Sequence, residues 1–214
     1  MSSKHIYAYG ITEAESIDEG SFDFEVTGVG GETTRPYAVT HGPLSAIVTD
    51  IDDLEPSQTE ENVQAHDEVL RAVMESDEER TIIPMRFGMV FKTKRALKNV
   101  LRSGRRAFTK ALRQVDGMQE IGVKVLAPEE GDVDVDVEIE IAAPLAERSD
   151  TVAENDLFSD RLLLNRSYLL PRENREAFDD DIDRIRDAHP DLRIQYTGPW
   201  APYSFVDIEI GAEH

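Results

Sequence analysis

The stretch 197–206, Thr-Gly-Pro-Trp-Ala-Pro-Tyr-Ser-Phe-Val, constrains the fold more than any other. Pro199 and Pro202 bracket the only tryptophan of the chain. Each proline fixes φ at about −65° and donates no backbone N–H. Trp200 and Ala201 therefore cannot lie in a helix or in the middle of a sheet. Gly198 accepts a positive φ or a close backbone approach. A rigid corner is expected, aiming Trp200 and Tyr203 in fixed directions and leading into a strand over 205–210. The plain structural reading makes Trp200 the plug of a core corner. A binding role for the edge of that corner is compatible with it.

The chain carrying this corner has 214 residues. That is room for one large domain or two small ones, with a core that needs no staples. Cysteine is absent, which excludes disulfides, thiolate nucleophiles and cysteine metal sites. Apolar runs are far shorter than a membrane span, and the first residues lack the apolar core of a signal peptide. A soluble, cytoplasmic protein is expected. Net charge is −21, from 44 acids against 23 bases, and only six of the bases are lysines. Clear periodic segments argue against disorder as the meaning of that charge. An acidic, lysine-poor surface fits a very salty cytoplasm, where ions screen its self-repulsion. It also argues against nucleic-acid binding by the molecule as a whole.

Taken in order, 5–10 alternates as a first strand, 12–23 reads as polar loop, and 24–29 as a short strand before a glycine turn. Two strands, 37–40 and 44–51, flank a His-Gly-Pro turn. Ser57-x-x-Glu60 is a capping box for a helix running to about Met74. Its inner stripe includes His66, and a lone histidine there is more often packed core than ligand. Residues 81–91 are the most apolar in the chain and read as a buried strand, with Pro84 placing it at an edge or bulge. Arg86 is the one charge inside it, so it is either ion-paired or faces outward. Thr93 caps a long helix to Val115. After a strand over 120–127, residues 132–141 alternate valine and isoleucine with acids, the pattern of a half-buried strand. A strand over 162–170, a helix over 173–189 and a strand over 193–197 complete the chain. Helices returning over antiparallel strands predict an α+β fold of two domains. Each is an antiparallel sheet with helices on one face, a variant of the ferredoxin-like arrangement. Their boundaries are 1–117, with the basic helix, and 118–214, ending in the Gly-Pro-Trp corner.

The basic helix inverts the local charge. Eleven bases and no acid lie between Arg80 and Val115. Either that face pairs with the chain's own acids, or it docks an acidic partner, nucleic acid included. Candidate contact residues are Arg86, Phe87, Arg102, Arg105, Arg106, Trp200 and Tyr203. No phosphate loop, nucleophile elbow or Ser/His/Asp set is present, and the five histidines have no metal-ligand spacing. The chain reads as a non-enzyme with no catalytic residues, cofactor or metal.

Five motifs in order resemble a known family. They are Ile6-Tyr7-Ala8-Tyr9-Gly10-Ile11, Ile83-Pro84-Met85-Arg86-Phe87-Gly88, Gly122-Val123-Lys124-Val125, Asn165-Arg166-Ser167-Tyr168-Leu169-Leu170 and the corner at 197–206. Together they are similar to the GvpF/GvpL gas vesicle proteins, and the acidic composition to a halophilic F-type member. The resemblance implies two α+β domains and a role in assembling gas vesicles, whose walls consist mostly of the small hydrophobic shell protein GvpA. It implies a minor vesicle component, also cytoplasmic, that binds GvpA and other accessory proteins and limits premature aggregation during nucleation. No nucleic-acid or membrane partner is implied. Where many members carry a long helical insertion, this chain has only the short acidic segment 128–160. The alternative from another class is a ligand-sensing regulatory module of ferredoxin-like type, binding a small molecule.

Overall fold

A computed structural model describes residues 4–14, 20, 22–76, 80–129 and 135–207. The chain divides into two compact units. One holds residues 1–116 with Val206 and Asp207, and the other is Gly117–Phe205.

The first unit contains β1 (His5–Glu13), a ribbon of β2 (Val26–Thr27) and β3 (Thr33–Thr34), and the hairpin β4 (Tyr37–His41)–β5 (Leu44–Ile51). Then follow α1 (Glu60–Glu75), β6 (Ile83–Pro84), β7 (Val90–Phe91), α2 (Lys94–Ser103) and α3 (Arg105–Gln114). Its sheet is antiparallel, ordered β4-β5-β1-β6, with β7 also pairing with β1. Every residue from Ile6 to Thr12 is buried. Since side chains alternate across a strand, both faces of β1 must be covered. α1 supplies His66, Val69, Leu70 and Val73, and the α2–α3 pair supplies Leu97, Leu101, Phe108 and Leu112.

Three details differ from the sequence reading. The cap of α1 is Thr59, whose hydroxyl accepts from the Asn62 N–H, rather than Ser57. Thr59 stands immediately before the first helical residue, where its oxygen can reach an orphan donor. The apolar stretch 81–91 is two short strands separated by a turn at Phe87 and Gly88, because Pro84 supplies no donor for a longer ladder. The long basic helix is two helices broken at Gly104. An added Cβ there would stand 2.4 Å from the buried Phe108 ring.

The second unit runs β8 (Met118–Leu126), a π-helical turn Glu138–Ala142, α4 (Ala143–Glu147) and β9 (Thr151–Glu154). β10 (Leu162–Pro171), α5 (Arg175–Ala188) and β11 (Arg193–Trp200) complete it. Sheet order is β11-β8-β10-β9, all pairs antiparallel. Within the unit that is fourth, first, third, second, the ferredoxin-like order. Ile121, Val123 and Val125 of β8 and Tyr168 and Leu170 of β10 face Phe178, Ile182 and Ile185 of α5.

Within the expected strand at 132–141, residues 137–141 are instead helical, and 132–134 lie outside the described residues. Val137, Ile141 and Leu145 recur every fourth residue, so one helical face is apolar. Ile141 and Leu145 are fully buried in the core of this unit, whereas Ile139, equally apolar, is 69% exposed. No strand forms over 205–207, and 208–210 lie outside the described residues.

Candidate binding surfaces

The α2–α3 pair presents a continuous basic surface. Lys92, Lys94, Arg95, Lys98, Arg102, Arg105, Arg106, Lys110 and Arg113 are all exposed. Among the described residues, none of these nine lies within ion-pair distance of an acid. Lys94 instead stands over the Tyr37 ring, 4.8 Å from its centroid. Pairing with the acids of the described residues therefore does not account for this face. Beside α3 lies a groove of about 860 Å³. One wall is Arg105, Arg106, Thr109, Lys110, Arg113 and Gln114. The other is Glu13 at the end of β1 with Pro43 and Leu44 at the β4–β5 turn. Arg102, singled out from the sequence, is exposed but does not line the groove. Lys110 and Arg113 were not singled out. Their spacing from Arg106, four and seven residues on, puts all three on one helical face and was the available signal.

Arg86 and Phe87 diverge. Arg86 faces outward, with 78% of its side chain exposed and a 3.3 Å contact to the equally exposed Asp207. Phe87 turns inward to the Tyr7 and His66 rings, with centroids 6.0 and 6.1 Å away. The loop carrying both is tied to β1. Gly88 N–H donates to the Tyr7 hydroxyl at 3.0 Å and Met85 N–H to the Tyr9 carbonyl at 2.8 Å. Tyr7 Oη and His66 Nδ1 share a 2.9 Å hydrogen bond. Burial pushes the His66 imidazole down to about 4, so it is neutral at ordinary pH. It is packed core, as the sequence suggested. Thus the first two motifs meet, and their shared chemistry is structural.

The proline corner lies on the outer face of the second sheet. After a bulge past Thr197, Trp200 pairs with Glu120 at the edge strand β11, where a missing N–H is tolerated. Gly198 has φ +113, and a Cβ there would stand 2.8 Å from the Glu120 carbonyl. Ala201 and Pro202 are buried, whereas Trp200 is half-buried, so Trp200 is not the plug the sequence predicted. Tyr203 is 38% exposed. The turn that follows closes over Glu120, itself only 6% exposed. Ser204 donates to that carboxylate from its backbone N–H at 2.8 Å and its hydroxyl at 2.6 Å. Trp200 borders a small groove of about 200 Å³ lined mainly by polar side chains such as Asn165, Gln195 and Thr197. Nearby, Phe158 is 72% exposed under Lys124, a feature the sequence reading missed because it lies in an acidic loop.

The seven candidate residues are divided between the two units. Arg86, Phe87, Arg102, Arg105 and Arg106 belong to the first unit, and Trp200 and Tyr203 to the second. Among the described residues no group of three or more His, Asp or Glu is arranged to hold a metal, and no helix is long and apolar enough to cross a membrane.

Comparison with known proteins adds what the surfaces alone do not. The model of the family described as gas vesicle synthesis protein GvpL/GvpF matches residues 5–140 and 135–207. Gas vesicle protein F2 of Halobacterium salinarum is 49% identical over 215 residues, covering 100% of this chain and 97% of the relative. Gas vesicle protein F of Haloferax mediterranei is 48% identical, covering 99% and 97%. The crystal structure of GvpF from Anabaena sp. PCC7120 has the same fold. It superposes with a TM-score of 0.78 at 20% identity, over 99% of this chain and 100% of that one. The chain belongs to the gas vesicle synthesis protein GvpL/GvpF family, and its near relatives are F proteins of halophilic archaea.

Proposed function

We propose that this protein is a minor gas vesicle component and assembly factor. It binds the shell protein GvpA and other accessory proteins, in the cytoplasm and at the growing vesicle, and limits premature aggregation during nucleation. The observation that carries the reading is the exposed basic face of α2–α3, which has no acid partner among the described residues on a chain of net charge −21. A strongly hydrated body with one distinct contact face can hold an aggregation-prone client and stay soluble. Arg102, Arg105 and Arg106 belong to that face. Arg86, Trp200 and Tyr203 are exposed or half-exposed enough to add contacts, whereas Phe87 supports the loop that carries Arg86.

Binding that covers a client's hydrophobic surface removes it from aggregation by mass action. The effect must therefore saturate near a fixed molar ratio and need no nucleotide. The test is light scattering of GvpA diluted from denaturant into high salt with increasing amounts of this protein. Suppression that saturates at a defined ratio is expected. Unsuppressed scattering at excess, with no co-elution, would sink the proposal.

A further inference from the structure

The groove beside α3 is a more specific object than a basic face. Four of its lining side chains, Arg105, Arg106, Lys110 and Arg113, are cations, against one acid, Glu13. Both helices of the pair begin with bases and carry no acid in the first turn. That is the reverse of what the helix dipole favours. A chain with 44 acids had ample material to place carboxylates there. Where a local rule of stability is broken without an internal compensation, a functional constraint is the expected cause.

We infer that this groove binds an acidic peptide segment of a partner protein through Arg106, Lys110 and Arg113, with Arg105 also in its lining. The inference rests on reading α2–α3 as a partner face but not on the partner being GvpA.

Three arguments select this occupant. Arg106, Lys110 and Arg113 stand at i, i+4 and i+7, and at about 1.5 Å per residue they span about 10 Å. One phosphate or carboxylate meets only part of that row, whereas a run of carboxylates along a chain meets all of it. Second, three of the groove's four cations are arginines, whose planar fork pairs with carboxylates in a bidentate way. Such contact pairing survives in molar salt, where the screening length is about 3 Å and long-range attraction is gone. Third, the rest of the molecule is acidic, which disfavours a long nucleic acid running beyond the groove. A short acidic segment needs only the groove itself.

The probe is a fluorescein-labelled decapeptide of alternating glutamate and alanine, followed by anisotropy in about 1 M potassium chloride. The control peptide has glutamine for glutamate. Saturable binding of the acidic peptide alone is expected. The triple variant Arg106→Gln, Lys110→Gln, Arg113→Gln should weaken it by about ten-fold or more, the scale of three exposed charge contacts. Arg193→Gln, exposed on β11 of the second unit, should leave it unchanged, and circular dichroism melts confirm that both variants fold. Absence of binding overturns the inference. So does displacement of the peptide by tripolyphosphate or single-stranded DNA at lower concentration than by unlabelled peptide, which would assign the groove to another polyanion. GvpA scattering is measured in parallel with the unsubstituted protein. Suppression without peptide binding leaves the assembly role and removes this inference, and peptide binding without suppression does the opposite.

Discussion

Ser204 closes over a carboxylate that burial would otherwise leave poorly solvated. Glu120 receives two hydrogen bonds from it, and the same hydroxyl lies 3.1 Å from the Ser167 hydroxyl. Losing a donor to a buried charge costs about 1–3 kcal/mol. Ser204→Ala should therefore destabilise by about that much in denaturant unfolding. Trp200 is half-buried, so Trp200→Ala should cost only about 1–2 kcal/mol, less than the roughly 3–5 typical of a core aromatic. A Trp200→Ala loss near the core value, with Ser204→Ala silent, would reverse this assignment of the corner. His66 sets a pH dependence. Its folded value is depressed to about 4, below the ordinary value of 6.5, so the unfolded chain binds a proton that the folded chain refuses. Its contribution is fully present above pH 6.5 and is lost as pH falls toward 4, by at most about 1.4 kcal/mol per pH unit. His66→Gln should flatten the stability profile in that window relative to wild type. Parallel profiles for the two proteins would show that the imidazole is protonated in the folded state.

At the scale of elements, α2 and α3 carry two further tests. Gly104→Ala improves helix propensity by about 1 kcal/mol but drives a methyl into the Phe108 ring, which is only 2% exposed. Overpacking of that kind costs about 1–3 kcal/mol, so the variant should melt lower and Phe108→Leu should restore part of the loss. A higher melting temperature for Gly104→Ala alone would mean the ring moves freely. Conversely, Arg102→Glu, Arg105→Glu and Arg106→Glu together should leave the fold intact, because these arginines have no acid partner among the described residues. Acids in the first turn of α3 should even stabilise slightly in dilute buffer. Partner binding should be lost. Stability lost with binding retained would mean that the face is internal after all. The same helices show what the sequence made legible. The strand β1, the β4–β5 hairpin, α5 and the basic character of 92–113 follow from period and charge, which act locally. The break at Gly104 depends on a ring four residues on, and the helical fate of 138–147 on a core built by β8, β10 and α5. Val137, Ile141 and Leu145 satisfy a helical period as well as an alternating one, so only tertiary packing decides. The groove combines α3 with residues 13, 43 and 44, a juxtaposition that no local pattern announces.

For the whole molecule the decisive quantity is the charge of −21 in its ionic setting. Several ion pairs among the described residues join well-exposed side chains, such as Arg35 with Glu25 and Arg86 with Asp207, and pairs of that kind contribute little. Asp181 differs. It is 6% exposed and held by Arg148 at 2.8 Å and by Arg184, tying α4 to α5. A few such buried contacts cannot offset repulsion among the surplus carboxylates, and that repulsion reaches about 30 Å at 0.01 M salt but about 3 Å at 1 M. Removing salt should therefore lower the melting temperature substantially and expand the chain, whereas molar potassium chloride should restore both. The first unit is the informative place to look. Its sheet is covered on both faces by apolar side chains, and its basic helices lower the local net charge, so it should resist dilution better than the second, with its acidic segment at 128–160. Hydrogen exchange at low salt should then show protection lost first in β9 and α5 and retained in β1 and β5. Uniform loss across both units would show that they unfold as one. An unchanged melt between millimolar and molar salt would show that the acidic surface does not make this fold depend on salt.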